Sequence, residues 1–191
     1  FTHKLKRITK KAGRHLRNIN LLWPKAGQVL LAAGLRLNTQ RLVAVRTQTP
    51  VLSNVWWPMR LLEQNDNYEK ALILWLNSTL GLLILLSHRE ETQGAWMHFK
   101  KPVLSEMPVL DIRTLGVSQM KHLVDAYDTL SKQPLLSFPK MAKDPVREMI
   151  DTAISNALSL PDLSALRNLL AQEPVVCLQA LSSRVTLRRG Q

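Results

Sequence analysis

A single cysteine, Cys177, stands in a chain of 191 residues. That excludes an internal disulfide framework and fits a reducing, cytoplasmic setting. Acidic residues are missing from the first third: no Asp or Glu precedes Glu63, whereas twelve Lys or Arg do. The remaining fourteen basic residues are matched by the fourteen acids, so the whole net charge of +12 belongs to residues 1–62. An acid-free run of this length points to a polyanion partner, either nucleic acid or an anionic membrane surface. The plainer alternative is a basic surface that only aids solubility. No early apolar core followed by a small-residue cleavage site marks a signal peptide. The chain opens on Phe1 rather than Met, its first seventeen residues form a strongly basic segment, and the expectation is a piece of a longer protein.

Catalytic signatures are absent one after another. The seven glycines never occur as GxG, so neither a dinucleotide loop nor a methyltransferase-type AdoMet loop is written here. No phosphate-loop lysine motif occurs, no two prolines are adjacent as in NPPY or DPPY, and no acid stands two residues before a lysine as in (D/E)xK nucleases. His3, His15, His88, His98 and His122 have no metal-type spacing with each other or with Cys177. His88 with Glu90 or Glu91 is an acid–base cluster only on paper, since such a group after a helix is far more often a solvated surface. The expectation is no catalysis, no metal and no cofactor in this chain.

A membrane span is also lacking. The most hydrophobic stretch, "KALILWLNSTLGLLILLSHREE", has sixteen residues between Lys70 and Ser87, interrupted by Asn77, Ser78, Thr79 and Gly81. A span needs about 20 predominantly apolar residues, so a helix packed on most sides in a core is the simpler reading.

With 46% hydrophobic residues the chain can bury a core, and 21% charged residues argue against disorder. Residues 1–26 are a basic lead-in with weak helical spacing at Leu5, Ile8, Ala12 and Leu16. "QVLLAAGLRL", "QRLVAVRTQTPVL" and "LSNVWWPMRLLE" read as strands, the last an edge or bulged strand because of Pro58. A helix is predicted over 68–87 with Asn67 as its N-cap. "GAWMHFK" alternates, with Trp96, His98 and Lys100 on one face and Ala95, Met97 and Phe99 on the other. "KKPVLSEMPVLDI" is a proline-punctuated connection. Helices follow from Val117 to Leu130, over "DPVREMIDTAISNAL" with Asp144 as N-cap and Pro145 in the first turn, and over "PDLSALRNLLAQEP". The expected class is α+β: a basic β-rich domain with one core helix over 1–112, a helical spacer or docking segment over 113–175, and a tail over 176–191.

The order of motifs resembles a known family. Leu76-Asn77-Ser78-Thr79-Leu80-Gly81, Gly94, Leu104 and Pro108-Val109-Leu110-Asp111 resemble the C-terminal target-recognition region of bacterial N6-adenine DNA methyltransferases of the restriction–modification type. In those proteins a helix written LxxxLNSxLG precedes a variable turn, a Gly-led strand and a segment ending LxxxPVLD. The likeness covers roughly residues 25–175. It implies a specificity domain for double-stranded DNA, with S-adenosyl-methionine bound and methyl transferred by a catalytic domain missing from this chain, within a bacterial phage-defence system. Partners would be double-stranded DNA and that missing domain, with no membrane. A non-catalytic module binding RNA or an acidic protein through the basic third is the alternative.

On that reading Lys4, Lys6, Arg7, Lys10, Lys11, Arg14, Arg17, Arg36, Arg41, Arg46, Arg60, Lys100 and Lys101 are phosphate contacts, which supply affinity and salt dependence. Base edges fall to Asn38, Thr39, Gln40, Ser53, Asn54, Trp57, Arg89 and Gln93, because Arg and Asn or Gln form the paired hydrogen bonds that read guanine and adenine. For each of these, ordinary turn chemistry is an equally good account. Trp56 and Trp57 alternate in a strand, so one fills the core and the other faces outward.

Overall fold

The computed structural model describes residues 18–91 and 96–177. Lys4, Lys6, Arg7, Lys10, Lys11, Arg14 and Arg17, together with Gln93 and Gly94, lie outside the described residues. The architecture is α+β: two small antiparallel sheets followed by a helical part.

After a short helix α1 (Ile19–Leu22), strand β1 (Gly27–Ala32) runs between β3 (Ala44–Val51) and β4 (Trp56–Met59), antiparallel to both. Strand β4 is an edge, which explains how Pro58 is tolerated without an N–H to donate. Its two tryptophans alternate as expected: Trp56 packs against the core and Trp57 is exposed. A bend at Ala33 lets β1 continue as β2 (Gly34–Leu35), which joins β6 (Met97–His98) and β5 (Glu90–Glu91) in the second sheet. Ala33 links the two sheets directly, donating its N–H to the Val55 carbonyl and accepting from the Phe99 N–H, both at 3.0 Å. Only Met97 and His98 of "GAWMHFK" form regular ladder, yet the alternation holds, with Met97 and Phe99 buried while Trp96, His98 and Lys100 are exposed.

The apolar stretch is two helices where the sequence predicts one. Helix α2 (Asp66–Leu76) ends at Asn77, and α3 (Thr79–Ser87) leaves at a bend of 72°. Asn65, not Asn67, caps α2 by accepting from the Asn67 N–H at 3.0 Å, and this places Asp66 and Glu69 in the first turn, where the helix dipole favours acids. The break is local chemistry. Ser78 is extended and its hydroxyl accepts from the Gly81 N–H at 3.1 Å, a new N-cap in mid-run. Among the described residues no single helix is long and apolar enough to cross a membrane, and residues Ala71–Thr79 are all buried.

The connection "KKPVLSEMPVLDI" contains a short helix α4 (Lys101–Glu106), with Pro102 tolerated in its first turn. Helices α5 (Val117–Leu130), α6 (Pro145–Leu158) and α7 (Ser164–Gln172) follow as expected. Asp144 caps α6, accepting from the Val146 N–H at 3.0 Å and the Arg147 N–H at 3.3 Å. A last short helix α8 (Pro174–Cys177) carries the fully buried Val176, so ordered helical structure extends past residue 175. One hydrophobic core runs without interruption from Val29 and Leu31 of the sheet, through α2 and α3, to Ile150, Ile154, Leu170 and Val176 of the helical part.

Candidate nucleic-acid interface

The scaffold beneath the basic strands is a buried polar network whose members come from the Asn77–Gly81 corner and from helices α6 and α7. The Asn77 carboxamide oxygen accepts from the Val43 and Ala44 N–H groups at 2.9 and 3.3 Å. Its amide donates to the carbonyls of Ala44 and Ile73 at 2.8 and 3.0 Å. All four hydrogen bonds of the side chain are thereby made, as a buried amide requires. Thr79 donates its hydroxyl and its N–H to the two oxygens of Asp151, each at 2.7 Å. Asp151 is also ion-paired with Arg167 at 2.8 Å. Arg147 donates at 2.6 Å to the carbonyls of Asn77 and of Arg41, and lies 5.0 Å from the Phe138 ring centroid. Burial pushes the Arg147 pKa below its ordinary value, opposed by the nearby charges of Asp144 and Asp151.

Gly81 completes the junction. A Cβ there would lie 2.2 Å from the Trp75 carbonyl oxygen, so only glycine permits the two helices to meet this closely. Asn-Ser-Thr-x-Gly is therefore a corner-forming sequence, with each residue given a distinct task.

Above this scaffold the proposed phosphate contacts divide. Arg36 and Arg41 are exposed on either side of the turn joining β2 to β3. Lys100 and Lys101 are exposed where α4 begins. Arg60 is exposed and donates to the carbonyls of Pro24 and of Ala26, the latter at 2.9 Å, strapping the segment before β1 to the end of β4. Arg46 is different. It is only 20% exposed, and it pairs with Glu69 at 2.8 Å and with Asp66. Burial lowers its pKa, but the Glu69 hydrogen bond and the Asp66 charge outweigh that and raise it overall. Arg46 and Arg60 line a polar cleft of about 450 Å³ together with Gln28, Asn65, Asp66 and Glu69. The two acids pair with Arg46, so its charge is already engaged in the sheet–helix contact.

The base-reading candidates divide in the same way. Asn38 and Thr39 occupy the β2–β3 turn, where the Thr39 N–H donates to the Arg36 carbonyl at 3.1 Å. The Asn38 Oδ1 is buried without a hydrogen-bond partner. The Gln40 carbonyl accepts from the Phe138 N–H at 3.0 Å, anchoring this turn to the helical part. The Ser53 hydroxyl accepts from the Val55 and Trp56 N–H groups at 3.2 and 3.1 Å, which is turn chemistry. Asn54 and Trp57 are exposed. Arg89 donates to the Leu86 carbonyl at 3.0 Å, capping the end of α3.

His88 turns back on its own helix, its Nδ1 lying 2.8 Å from the Ile84 carbonyl oxygen and 3.0 Å from the Ser87 hydroxyl. Among the described residues no group of three His, Cys, Asp or Glu is placed to hold a metal ion. Sequence reasoning missed Arg147, Asp151 and Arg167 altogether. The available signal was their spacing: Arg147 and Asp151 are four apart, on the same side of the helix as the apolar positions Val146, Ile150 and Ile154. No family model, curated protein or solved structure matches the chain.

Proposed function

We propose that this chain is the part of a larger adenine-N6 DNA methyltransferase that recognises a specific sequence in double-stranded DNA. The observation that carries the reading is the buried Asn77–Arg147 contact at 2.6 Å. It joins the "LNSTLG" and "DPVREMID" motifs, and it supports from below the turn that presents Arg36, Thr39 and Arg41. A rigid corner beneath a basic, polar turn suits sequence reading, because base-edge contacts demand fixed positions.

On this reading Arg36, Arg41, Arg60, Lys100 and Lys101 contact phosphates, and the residues around Asn38 and Asn54 reach base edges. Residues 1–17, with seven Lys or Arg, add further phosphate contacts. The missing catalytic domain binds S-adenosyl-methionine and receives the adenine once it leaves the stack. The helical part docks against that domain. The setting is the bacterial cytoplasm.

Fluorescence anisotropy with a panel of labelled duplexes tests this. The expected result is preference for particular duplex sequences, together with a steep fall of affinity with salt. Equal affinity for RNA and DNA without sequence preference would sink the reading in favour of a general interaction module.

A further inference from the structure

The seam between the strand-rich and helical parts is not closed along its whole length. A cavity of about 340 Å³ opens between β3, the end of α2, the end of α5 with the loop that follows it, and the start of α6. Its walls include Leu42, Val45, Leu74, Leu130, Leu135 and Ile150, and of these Leu74, Leu130 and Ile150 belong to the buried core. Packed interiors hold few voids larger than a water molecule, whereas this one has the volume of about eleven waters at roughly 30 Å³ each. An apolar cleft of this size with a few polar groups has the form of a small-molecule site.

The polar groups that reach the cavity divide into those already engaged and those still available. Asn77 spends all four of its side-chain hydrogen bonds on main chain. Arg46 is held by Asp66 and Glu69, neither of which lines the cavity. Arg41 is exposed, and its carbonyl is used by Arg147, but among the described residues its guanidinium has no ion-pair or hydrogen-bond partner. Burial raises the Tyr127 pKa above its ordinary value, against the opposing charges of Arg46 and Lys70, so the phenol stays a neutral hydrogen-bond donor. No Asp or Glu lines the cavity, whereas two arginines do. The walls are apolar and the uncompensated charge is positive, and an occupant with an apolar body and one anionic group matches both.

We propose that this cavity binds a small amphipathic anion, with the apolar body between Leu42, Leu74 and Leu135 and a carboxylate or phosphate head at Arg41. The site goes beyond DNA recognition and does not rest on it. Arg41 serves either this head group or a DNA phosphate, one at a time.

The test is isothermal titration calorimetry of the full 191-residue chain with monomeric decanoate, in the absence of DNA. One molecule is expected to bind per chain. Affinity should fall about three- to fourfold for each methylene removed, through octanoate to hexanoate. Decanol keeps the body without the charge and should bind about tenfold more weakly. Arg41→Gln should bring decanoate down to the level of decanol and leave decanol unchanged. Leu135→Trp fills the cavity from the loop and should abolish binding of both. Should that variant fail to fold, judged by circular dichroism, Arg41→Gln carries the comparison alone, since its side chain is exposed. Decyl phosphate identifies the head group: tighter binding than decanoate assigns a phosphate, weaker binding a carboxylate, and either supports the site. The proposal is overturned by an absence of saturable binding, by several bound equivalents that a folded Leu135→Trp protein retains, or by equal affinity for decanoate in Arg41→Gln and the parent.

Discussion

Arg147 and Asn77 lie seventy positions apart in the chain, and the guanidinium of the first donates to the main-chain carbonyl of the second at 2.6 Å. The same guanidinium reaches the Arg41 carbonyl, so one buried cation holds the corner between α2 and α3 and the approach to β3 together. Its charge is compensated by two carbonyl dipoles, the Phe138 ring face and the charges of Asp144 and Asp151. Substituting Arg147→Met removes the charge but takes the donor from the buried Asn77 carbonyl and the half-buried Arg41 carbonyl. We expect a loss of about 2–4 kcal/mol, read as a lower midpoint in urea.

Asn77→Ala attacks the same corner from the other side. Four hydrogen bonds disappear, and the N–H groups of Val43 and Ala44 lose the oxygen that received them. The expected cost is again about 2–4 kcal/mol. Asn77→Asp separates donor from acceptor. It keeps an oxygen for Val43 and Ala44 but faces the Ala44 and Ile73 carbonyls with a negative charge, so it is expected to be no better than alanine. Equal stability of Asn77→Asp and the parent protein would disprove this account.

Thr79 and Asp151 test whether the strand-rich and helical parts unfold together. The carboxylate receives two bonds from Thr79 and one from Arg167, and all three residues are buried. Removing one partner of a buried ion pair costs about 3–5 kcal/mol, so Asp151→Ala is expected to lower the midpoint sharply. A Thr79→Val, Asp151→Ala double-mutant cycle should show a coupling of about 0.5–3 kcal/mol. Tryptophan fluorescence, dominated by the first hundred residues, and helical circular dichroism should report one coincident transition. Two separated transitions would show that the shared core does not couple the two parts.

How much of this was legible beforehand depended on whether the signal was local. Strand and helix positions followed from periodicity, Asp144-Pro145 announced its own cap, and the alternation of Trp96 to Lys100 gave the exposed face of the second sheet. From sequence, Asn77 is a polar interruption of one helix, because nothing local reveals that its amide will find the backbone of a strand some 33 residues away. Arg147 and Asp151 were hidden for the same reason: a charged residue beside an apolar stripe looks solvated until its partner arrives from another element. For the candidate interface, the excess of basic residues was visible, but not which of them have acids of their own. Arg46 lies within the acid-free third, and its partners Asp66 and Glu69 lie just beyond it.

Gly81 tests the close approach of the two helices. The atom nearest to an added Cβ is the Trp75 carbonyl oxygen, and the next two belong to the Leu76 main chain. None is the tip of a flexible side chain, so Gly81→Ala must shift one helix relative to the other. Despite the better helix propensity of alanine, we expect a destabilisation of at least about 2 kcal/mol. A stabilised Gly81→Ala protein would refute the geometry.

Asp111 supplies a pH dependence. The Arg113 side-chain hydrogen bond, at 2.8 Å, holds its carboxyl below the usual carboxylate range. A carboxyl with a depressed folded-state pKa adds stability above its unfolded value, about 3.9, and that stability is lost as pH falls through the folded value. The pair is exposed to solvent, so the effect is small. Urea midpoints measured from about pH 5 down to about pH 2 should fall less steeply in Asp111→Asn than in the parent. An identical slope would mean that the pair contributes nothing.

The basic residues offer the sharpest separation between architecture and binding. Arg41 and Arg60 are exposed, whereas Arg46 is mostly buried against Glu69 and Asp66. Each phosphate contact removed should reduce the slope of log affinity against log salt by about 1. Arg41→Gln is therefore expected to flatten the salt dependence of duplex binding while leaving the urea midpoint nearly unchanged, and Arg60→Gln to flatten it while also lowering the midpoint, because its bonds to the Pro24 and Ala26 carbonyls are lost. Arg46→Gln should do the opposite, lowering the midpoint because two acids lose their partner while the slope stays as it was. If Arg46→Gln flattens the slope as much as Arg41→Gln does, the cleft beside β3 opens to admit a phosphate and the internal ion pair yields to it.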